Sequence, residues 1–274
     1  MLDIEYKTPE QIDKMRVAGL LVARTLDRLR AAVAPGVSTA DLDAIAEETI
    51  RSAGGVPSFQ GYHGYPASIC TSVNEQVVHA IPAAKQVLRE GDVVSLDCGA
   101  IVDGWHGDAA ITVGVGDIRP ELRRLARVAE DAMWAGIAAA ARGAISGTGR
   151  LTDISHAIAD TIRRAGRYGI VEGYGGHGIG TEMHQDPDVP NLGRPGKGPR
   201  LVPGLAIAIE PMVTLGSRYT VELADGWTVV TRDGSYAAHV EHTIALFPDG
   251  VWVLTAADGG RERLGTLLTA HAHG

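Results

Sequence analysis

The stretch VVSLDCGAIVDGWHGDAAITV, residues 93–113, reads as a β-hairpin whose two apolar arms each carry a carboxylate, Asp97 and Asp108. Val102-Asp103-Gly104 supplies the turn. If the turn centres on Val102-Asp103 the two acids face each other, and if it centres on Asp103-Gly104 they are diagonal neighbours. In both registers they leave the same face of the sheet. Two bare carboxylates about 4 Å apart repel by about 4 kcal/mol at an effective dielectric of about 20. Burial adds a further cost for each ion. Such a pair needs a cation between its members or a proton on one of them.

The second half of the chain adds two more acids in strand-like apolar runs: Glu210 in LAIAIEPMV and Glu241 in AAHVEHTIALF. No lysine or arginine lies within these strand cores. Four converging acids carry a formal charge that one divalent ion halves and two neutralise. The imidazole that fits beside them is His177 in GYGGHGIG, whose flanking glycines allow close backbone approach. Asp97, Asp108, His177, Glu210 and Glu241 thus form a five-residue donor set for two ions. Hard carboxylates with few imidazoles suit Mn, Fe, Co or Zn. Two ions bridged by carboxylates clamp a water and lower its pKa towards neutrality.

The elements that must position these residues follow a pattern that repeats. Thr8-Pro9-Glu10-Gln11 signals a helix start, with a capping Thr, Pro at the first helical position and Gln three residues on. Apolar residues at helical spacing (Ile12, Met15, Val17, Leu20, Leu21, Leu26, Leu29) carry the helix to Pro35-Gly36. A second helix runs from Ser38 or Thr39 to Gly54-Gly55, and a Gly- and Tyr-rich loop, PSFQGYHGYPASIC, precedes a short strand and the hairpin. The order then restarts: a third helix from Arg119-Pro120-Glu121 to about Ala141, a fourth capped by Thr152 or Asp153 and ended by Gly166, and a second Gly-rich loop.

The two halves align. IAEETIRSAG resembles IADTIRRAG, Gly61-Tyr62 resembles Gly173-Tyr174, and LREGDVVSLD resembles LVPGLAIAIE, all in order at offsets of 112 or 113 residues. The last match sets Glu210 where the first half has Asp97. This indicates a duplicated helix-helix-hairpin unit. The expectation is an α+β fold in one domain over residues 1–274. Its halves, roughly 8–115 and 119–256, are related by a pseudo-twofold, with a central antiparallel sheet, helices outside, and a loose tail at 257–274.

Composition narrows the function. A net charge of −8 argues against a general nucleic-acid binder or a basic membrane-surface protein. No apolar run approaches the roughly 20 residues of a membrane span, and the first residues lack a signal-peptide pattern. Cys70 and Cys98 form neither a disulfide framework nor a metal motif, so a reducing cytoplasm is expected. Gly173–Gly178 matches G-x-G-x-x-G, but TEMHQDPDVPN follows, where a dinucleotide fingerprint needs a helix. No G-x-S-x-G is present, which argues against a covalent serine hydrolase.

The motifs YHGYPASICTSVNEQVVHAIP, LDCGAIVDGWHGDAAITV, GHGIGTEMHQDPDVPN, AIEPM and VEHTIAL together resemble those of the type I methionine aminopeptidases, over nearly the whole chain. The resemblance implies the pita-bread (creatinase/aminopeptidase) fold and metal-dependent removal of the initiator methionine from nascent proteins when the second residue is small. It implies that Asp97, Asp108 and Glu241 hold one ion, and that Asp108, His177, Glu210 and Glu241 hold the other. His79 and His184 become catalytic histidines at the substrate, Glu210 a proton shuttle, and a metal the anchor for the free α-amine. Phe59, Tyr62, Tyr65, Cys70, Met183 and Trp227 become the methionine pocket. Met183 and His239 depart from the family's usual aromatic and Gln, and the second departure bears on the orientation of Glu241. A bacterial, cytoplasmic, monomeric enzyme is implied, with nascent N-termini as partners, at the ribosome in one version. The competing expectations are an Xaa-Pro aminopeptidase or prolidase on the same fold, and a non-catalytic binding protein that has lost its metal. Glu182, Asp186 and Asp188 read as solvated loop acids, and His63 and His106 stay unassigned.

Overall fold

The computed structural model of the chain describes residues 2–273; Met1 and Gly274 lie outside the described residues. Helix α1 (Pro9–Ala32) begins as its sequence dictates: Thr8 accepts from the Gln11 N–H while the Gln11 side chain accepts from the Thr8 N–H. Helix α2 (Thr39–Ser52) repeats the device with Ser38 and Asp41. Helix α3 (Pro120–Ser146) runs about one turn beyond the expected end at Ala141, because Gly143 and Ala144 continue its buried face and Gly147 at φ 67° supplies the left-handed stop. Helix α4 (Leu151–Ala165) starts two or three residues earlier than a cap at Thr152 or Asp153 would place it, with Arg150 at the cap position. Asp153 caps it from inside the first turn by accepting the Arg150 N–H at 2.7 Å.

Nine strands form the central sheet: β1 (Val56–Pro57), β2 (Ile69–Val73), β4 (Val93–Val102), β5 (Trp105–Gly114), β7 (Gly176–Gly178), β8 (Gln185–Val189), β9 (Ala206–Ile209), β14 (Glu241–Phe247) and β15 (Gly250–Val253). The order β1-β4-β5-β14-β9-β7-β8, with β2 against β4 and β15 against β14, is antiparallel throughout. Two three-stranded sheets flank it. One joins β6 (Gly169–Ile170), β10 (Met212–Thr214) and β13 (Ala237–His239). The other joins β3 (Gln76–Val78), β11 (Thr220–Glu222) and β12 (Val229–Thr231).

The hairpin β4–β5 and the pair β9–β14 sit side by side, joined by the β5–β14 ladder, with β2 and β7 on their outer flanks. That order is what a twofold between β5 and β14 produces, and this mixed helix-and-sheet architecture is the pita-bread fold. Each half builds its own core. Leu21, Leu26 and Leu29 of α1 and Leu42 and Ile50 of α2 meet Leu96 and Cys98 of β4. Leu125, Ile137, Ile154 and Ile158 of α3 and α4 meet Ile207, Ile209 and Ile244. Alternation along β4 therefore sends Leu96 and Cys98 to the helices and Asp97 to the opposite face.

The stretch after Ala256, expected to be loose, is packed. A short helix α5 (Arg261–Leu264) buries Leu264, and Leu268 joins the second-half core. Asp249 accepts from the Thr269 hydroxyl and the Ala270 N–H, and His271 stacks on Phe247 while bonding Asp13.

Candidate metal centre

The sheet registers bring the four acids onto one face. In β4–β5, Gly99 opposes Asp108 and Asp97 opposes Ala110, so Asp97 and Asp108 are diagonal neighbours and the turn is Asp103-Gly104. Asp103 at φ 49° and Gly104 at φ 81° give the two-residue turn whose twist matches the arms. In β5–β14, Glu241 opposes the same Ala110. In β14–β9, His242 opposes Ile209, which sets Glu210 across from Glu241. Behind Glu241, His242 turns the other way, onto Trp134 of α3.

His177 enters from β7, a strand squeezed between β8 and β9. A Cβ on Gly176 would lie 2.1 Å from the Ala208 carbonyl oxygen, and one on Gly178 would lie 2.1 Å from that of Asp186. The flanking glycines are thus required by strand packing, beyond the close approach expected of them. The His177 Nδ1 lies 2.9 Å from the Gly178 carbonyl oxygen. A carbonyl only accepts, so Nδ1 carries the proton and Nε2 presents a lone pair. That lone pair faces the Glu210 Oε1 at 3.7 Å. Two electron-rich atoms facing each other in a buried site ask for a cation between them.

The carboxylates make the same demand. Asp97, Asp108 and Glu241 are 9%, 3% and 2% exposed, and one oxygen of each, Oδ1, Oδ1 and Oε1, is buried with no hydrogen-bond partner. Burial first, and then the neighbouring carboxylates, push all three well above the usual carboxylate range. Burial does the same to Glu210. Burial, and then His184, hold His177 down at about 3, in the neutral form a metal needs. Among the described residues, no lysine or arginine lines the cavity these groups face. Asp108, His177 and Glu241 place ligand atoms within 4.8 Å of one another, and so do Glu210, His239 and Glu241. Asp97 stands outside both close groups, one diagonal step along the sheet. The donor set, the orphaned oxygens and the missing counter-charge fit divalent metal ions.

The thirteen residues that line this cavity are those the sequence nominated: beside the acids and His177 stand Phe59, Tyr62, Tyr65, Cys70, His79, Met183, His184 and Trp227.

 Six of them make an apolar pocket at one end: Phe59, Tyr65, Cys70 and Met183 are buried together, with Tyr62 and Trp227 packed on them. The Tyr65 hydroxyl donates to the carbonyls of Ile69 and Ala80, and its ring meets the edge of Trp227 at 5.0 Å. His184 stands at the junction of pocket and acids. Its Nδ1 lies 2.7 Å from the Tyr62 hydroxyl and its ring 4.3 Å from that of His177. His79 closes the other side, held at φ 60° after β3, with its ring 5.7 Å from that of Tyr174. Burial, then His239 and His184, lower the His79 pKa to about 4, so its ring is neutral at physiological pH.

One contact was not legible in the sequence. His239 bears directly on Glu210: its Nε2 lies 3.2 Å from the Glu210 Oε2 and, as the Nε2–H tautomer, donates to the ionised carboxylate, while a ring nitrogen also lies within 4.8 Å of a Glu241 carboxylate oxygen. Its backbone N–H is fixed by the hydroxyls of Ser95 and Thr112, which places the ring. The only signal available was the position of His239 two residues before Glu241 on an apolar run, which does not point to Glu210. His106 pairs with the Ser58 hydroxyl at 3.0 Å, and Asp186 accepts the Asp3 N–H at 2.8 Å.

Residues 13–246 match metallopeptidase family M24. The chain belongs to that family, whose members are metal-dependent peptidases. Within it, the chain is 53% identical over 257 residues to methionine aminopeptidase 1 of Mycobacterium tuberculosis, covering 92% of this chain and 95% of that protein. The crystal structure of methionine aminopeptidase from Rickettsia prowazekii superposes with a TM-score of 0.88 at 39% identity, covering 92% of this chain and 100% of the other. An Xaa-Pro dipeptidase from Bacillus anthracis shares the fold, with a TM-score of 0.70 at 22% identity over 92% of this chain and 62% of the other. The chain therefore falls among the methionine aminopeptidases, as the sequence motifs implied.

Proposed function

We propose that this chain cleaves the first peptide bond of polypeptides that begin with methionine and carry a small second residue, using two divalent ions. The observation that carries this reading is the cluster of unpartnered buried oxygens on Asp97, Asp108 and Glu241, facing the bare Nε2 of His177. In it, Asp97, Asp108 and Glu241 hold one ion, and Asp108, His177, Glu210 and Glu241 hold the other. Mn, Fe, Co and Zn all suit these donors. When bound, such ions supply Lewis-acid polarisation and water activation at neutral pH.

The chain's own residues supply the rest. The pocket of Phe59, Tyr62, Tyr65, Cys70, Met183 and Trp227 takes the unbranched methionine side chain, an apolar enclosure with no charged member. With the Tyr62 hydroxyl donating to Nδ1, the His184 ring carries its proton on Nε2 and can donate to the carbonyl oxygen as charge develops there. His79, neutral, meets the amide nitrogen beyond the cut. Glu210, steadied by the His239 N–H, accepts a proton from the attacking water and delivers it to the leaving amine.

The same reading treats the chain as one catalytic unit of two pseudo-repeats, about 8–115 and 119–256, acting as a monomer in a bacterial cytoplasm on nascent chains near the ribosome. No helix among the described residues is long and apolar enough to cross a membrane. The test is methionine release from Met-Ala-Ser and Met-Leu-Ser with added Mn, Co or Fe, beside an Xaa-Pro peptide. Turnover of Met-Ala-Ser alone supports the reading. Preference for the Xaa-Pro peptide would replace it with the prolidase alternative, and an inert protein that takes up no metal with the binding-protein alternative.

A further inference from the structure

The residues ahead of α1 cross the outside of the loop that carries Met183 and His184. The Lys7 N–H donates to the Gly204 carbonyl at 2.8 Å and the Asp3 N–H to the Asp186 carboxylate, so this segment is tied down at both ends. Between those ties, Glu5 takes three hydrogen bonds from the loop. Its Oε2 accepts from the Thr181 N–H at 3.1 Å and the Gln185 amide at 2.7 Å, and its Oε1 from the Thr181 hydroxyl at 2.9 Å. The Lys7 side chain is 1% exposed and its ammonium donates to the Gln185 Oε1 at 3.0 Å, with Glu5 at 3.4 Å.

Thr181 and Gln185 bracket Met183 and His184. The loop needs such an outside anchor. It links two short strands, and within it the Gly180 N–H to Glu182 carbonyl bond closes only its first turn. Gly180 also makes room for the anchor: a Cβ there would lie 2.2 Å from the Glu5 Oε2 and 2.4 Å from the Lys7 Cε. Charge-assisted bonds to a carboxylate are the stronger and more directional kind, and an ammonium removed from water persists only where such partners meet it. The segment lies ahead of the region that matches the family, residues 13–246.

We propose that residues 3–7 act as a positioning strap, in which Glu5 and Lys7 hold the 180–185 loop so that Met183 closes the apolar pocket and His184 stays aimed at the scissile carbonyl. This rests on the pocket and His184 roles proposed above. A displacement of about 1 Å in such a group costs up to about a hundredfold in rate, so loosening the strap acts on catalysis and on side-chain selection together.

The test uses the full-length enzyme loaded with Mn. Glu5→Ala is expected to lower kcat/KM for Met-Ala-Ser about tenfold and to narrow the preference for methionine over norleucine at the first position about threefold. Mn affinity by calorimetry stays unchanged. Glu5→Gln keeps all three hydrogen bonds from the loop, its amide oxygen replacing Oε2 and its NH2 donating to Thr181, but withdraws the counter-charge from Lys7, so it restores most of both kinetic values. Thr181→Val, which removes one contact, shifts them in the same direction by less and serves if Glu5→Ala does not fold. In the metal-free protein, the His184 ring proton signal moves in Glu5→Ala or Thr181→Val and stays in place in Glu5→Gln. A wild type that releases methionine while Glu5→Ala and Thr181→Val keep its rate and its selectivity, losing only thermal stability, overturns the strap. A wild type that releases no methionine overturns the reading beneath it.

Discussion

The two halves of this molecule deliver the same chemistry by different routes. The first half places Asp97 and Asp108 on one continuous hairpin closed by a two-residue turn. The second places Glu210 just past the end of β9 and Glu241 at the start of the neighbouring β14, separated by an excursion that contains β10 to β13. That excursion carries Trp227 into the apolar pocket and His239 onto Glu210. The offset of 112 residues also sets Tyr65 of the first half against His177 of the second. One lines the pocket with its hydroxyl spent on backbone carbonyls, and the other offers a lone pair to the acids. Under the proposed roles, a duplicated frame keeps its geometry while its paired positions take separate tasks: an acid-bearing hairpin in one copy, selectivity and proton handling in the other.

Substitutions at four positions break or sharpen that contrast. The largest effect is expected at Asp108, which serves both ions in the proposed partition. Asp108→Asn should lower Mn affinity and methionine release by several orders of magnitude, read by calorimetry and peptide turnover. Wild-type turnover in that variant would remove the first half from the centre. Next, His184→Ala should keep its metal and lose about a hundredfold in kcat, which separates proton donation from ion binding. Third, Trp227→Ala should raise KM for methionine peptides about tenfold, the scale of a lost aromatic contact area, with Mn affinity unaltered; a fall in metal content would mean that the excursion also braces the acids. The smallest effect is expected from His239→Gln. The Gln amide can donate to the Glu210 carboxylate as the imidazole does, so kcat/KM should stay within about threefold. His239→Leu, which leaves Glu210 without that donor, should cost more.

Much of the centre was legible because burial and charge conflict openly in the sequence. Carboxylates inside apolar strands at a repeated offset have few physical resolutions, and Asp97, Asp108, Glu210 and Glu241 meet as that argument required. The helix starts at Thr8 and Ser38 were legible for a local reason, since a capping box is written in four consecutive residues. The facing or diagonal relation of Asp97 and Asp108 was left open, although Asp103-Gly104 is the pair that favours the tighter turn. The pocket was not legible from pattern: Phe59, Met183 and Trp227 arrive from three distant loops, and only family resemblance grouped them. The His239 to Glu210 bond spans 29 residues with no periodicity to announce it. The final segment misled for the same reason, since Leu264 and Leu268 pack on partners far away in the chain.

The central claim is that acids from both halves share one buried chamber because dications neutralise them. Crystals grown with Mn and measured at a wavelength where Mn scatters anomalously test it directly. Two peaks among Asp97, Asp108, His177, Glu210 and Glu241 are predicted. A map with no peak there, or with a lysine or arginine head group among those carboxylates, would contradict it.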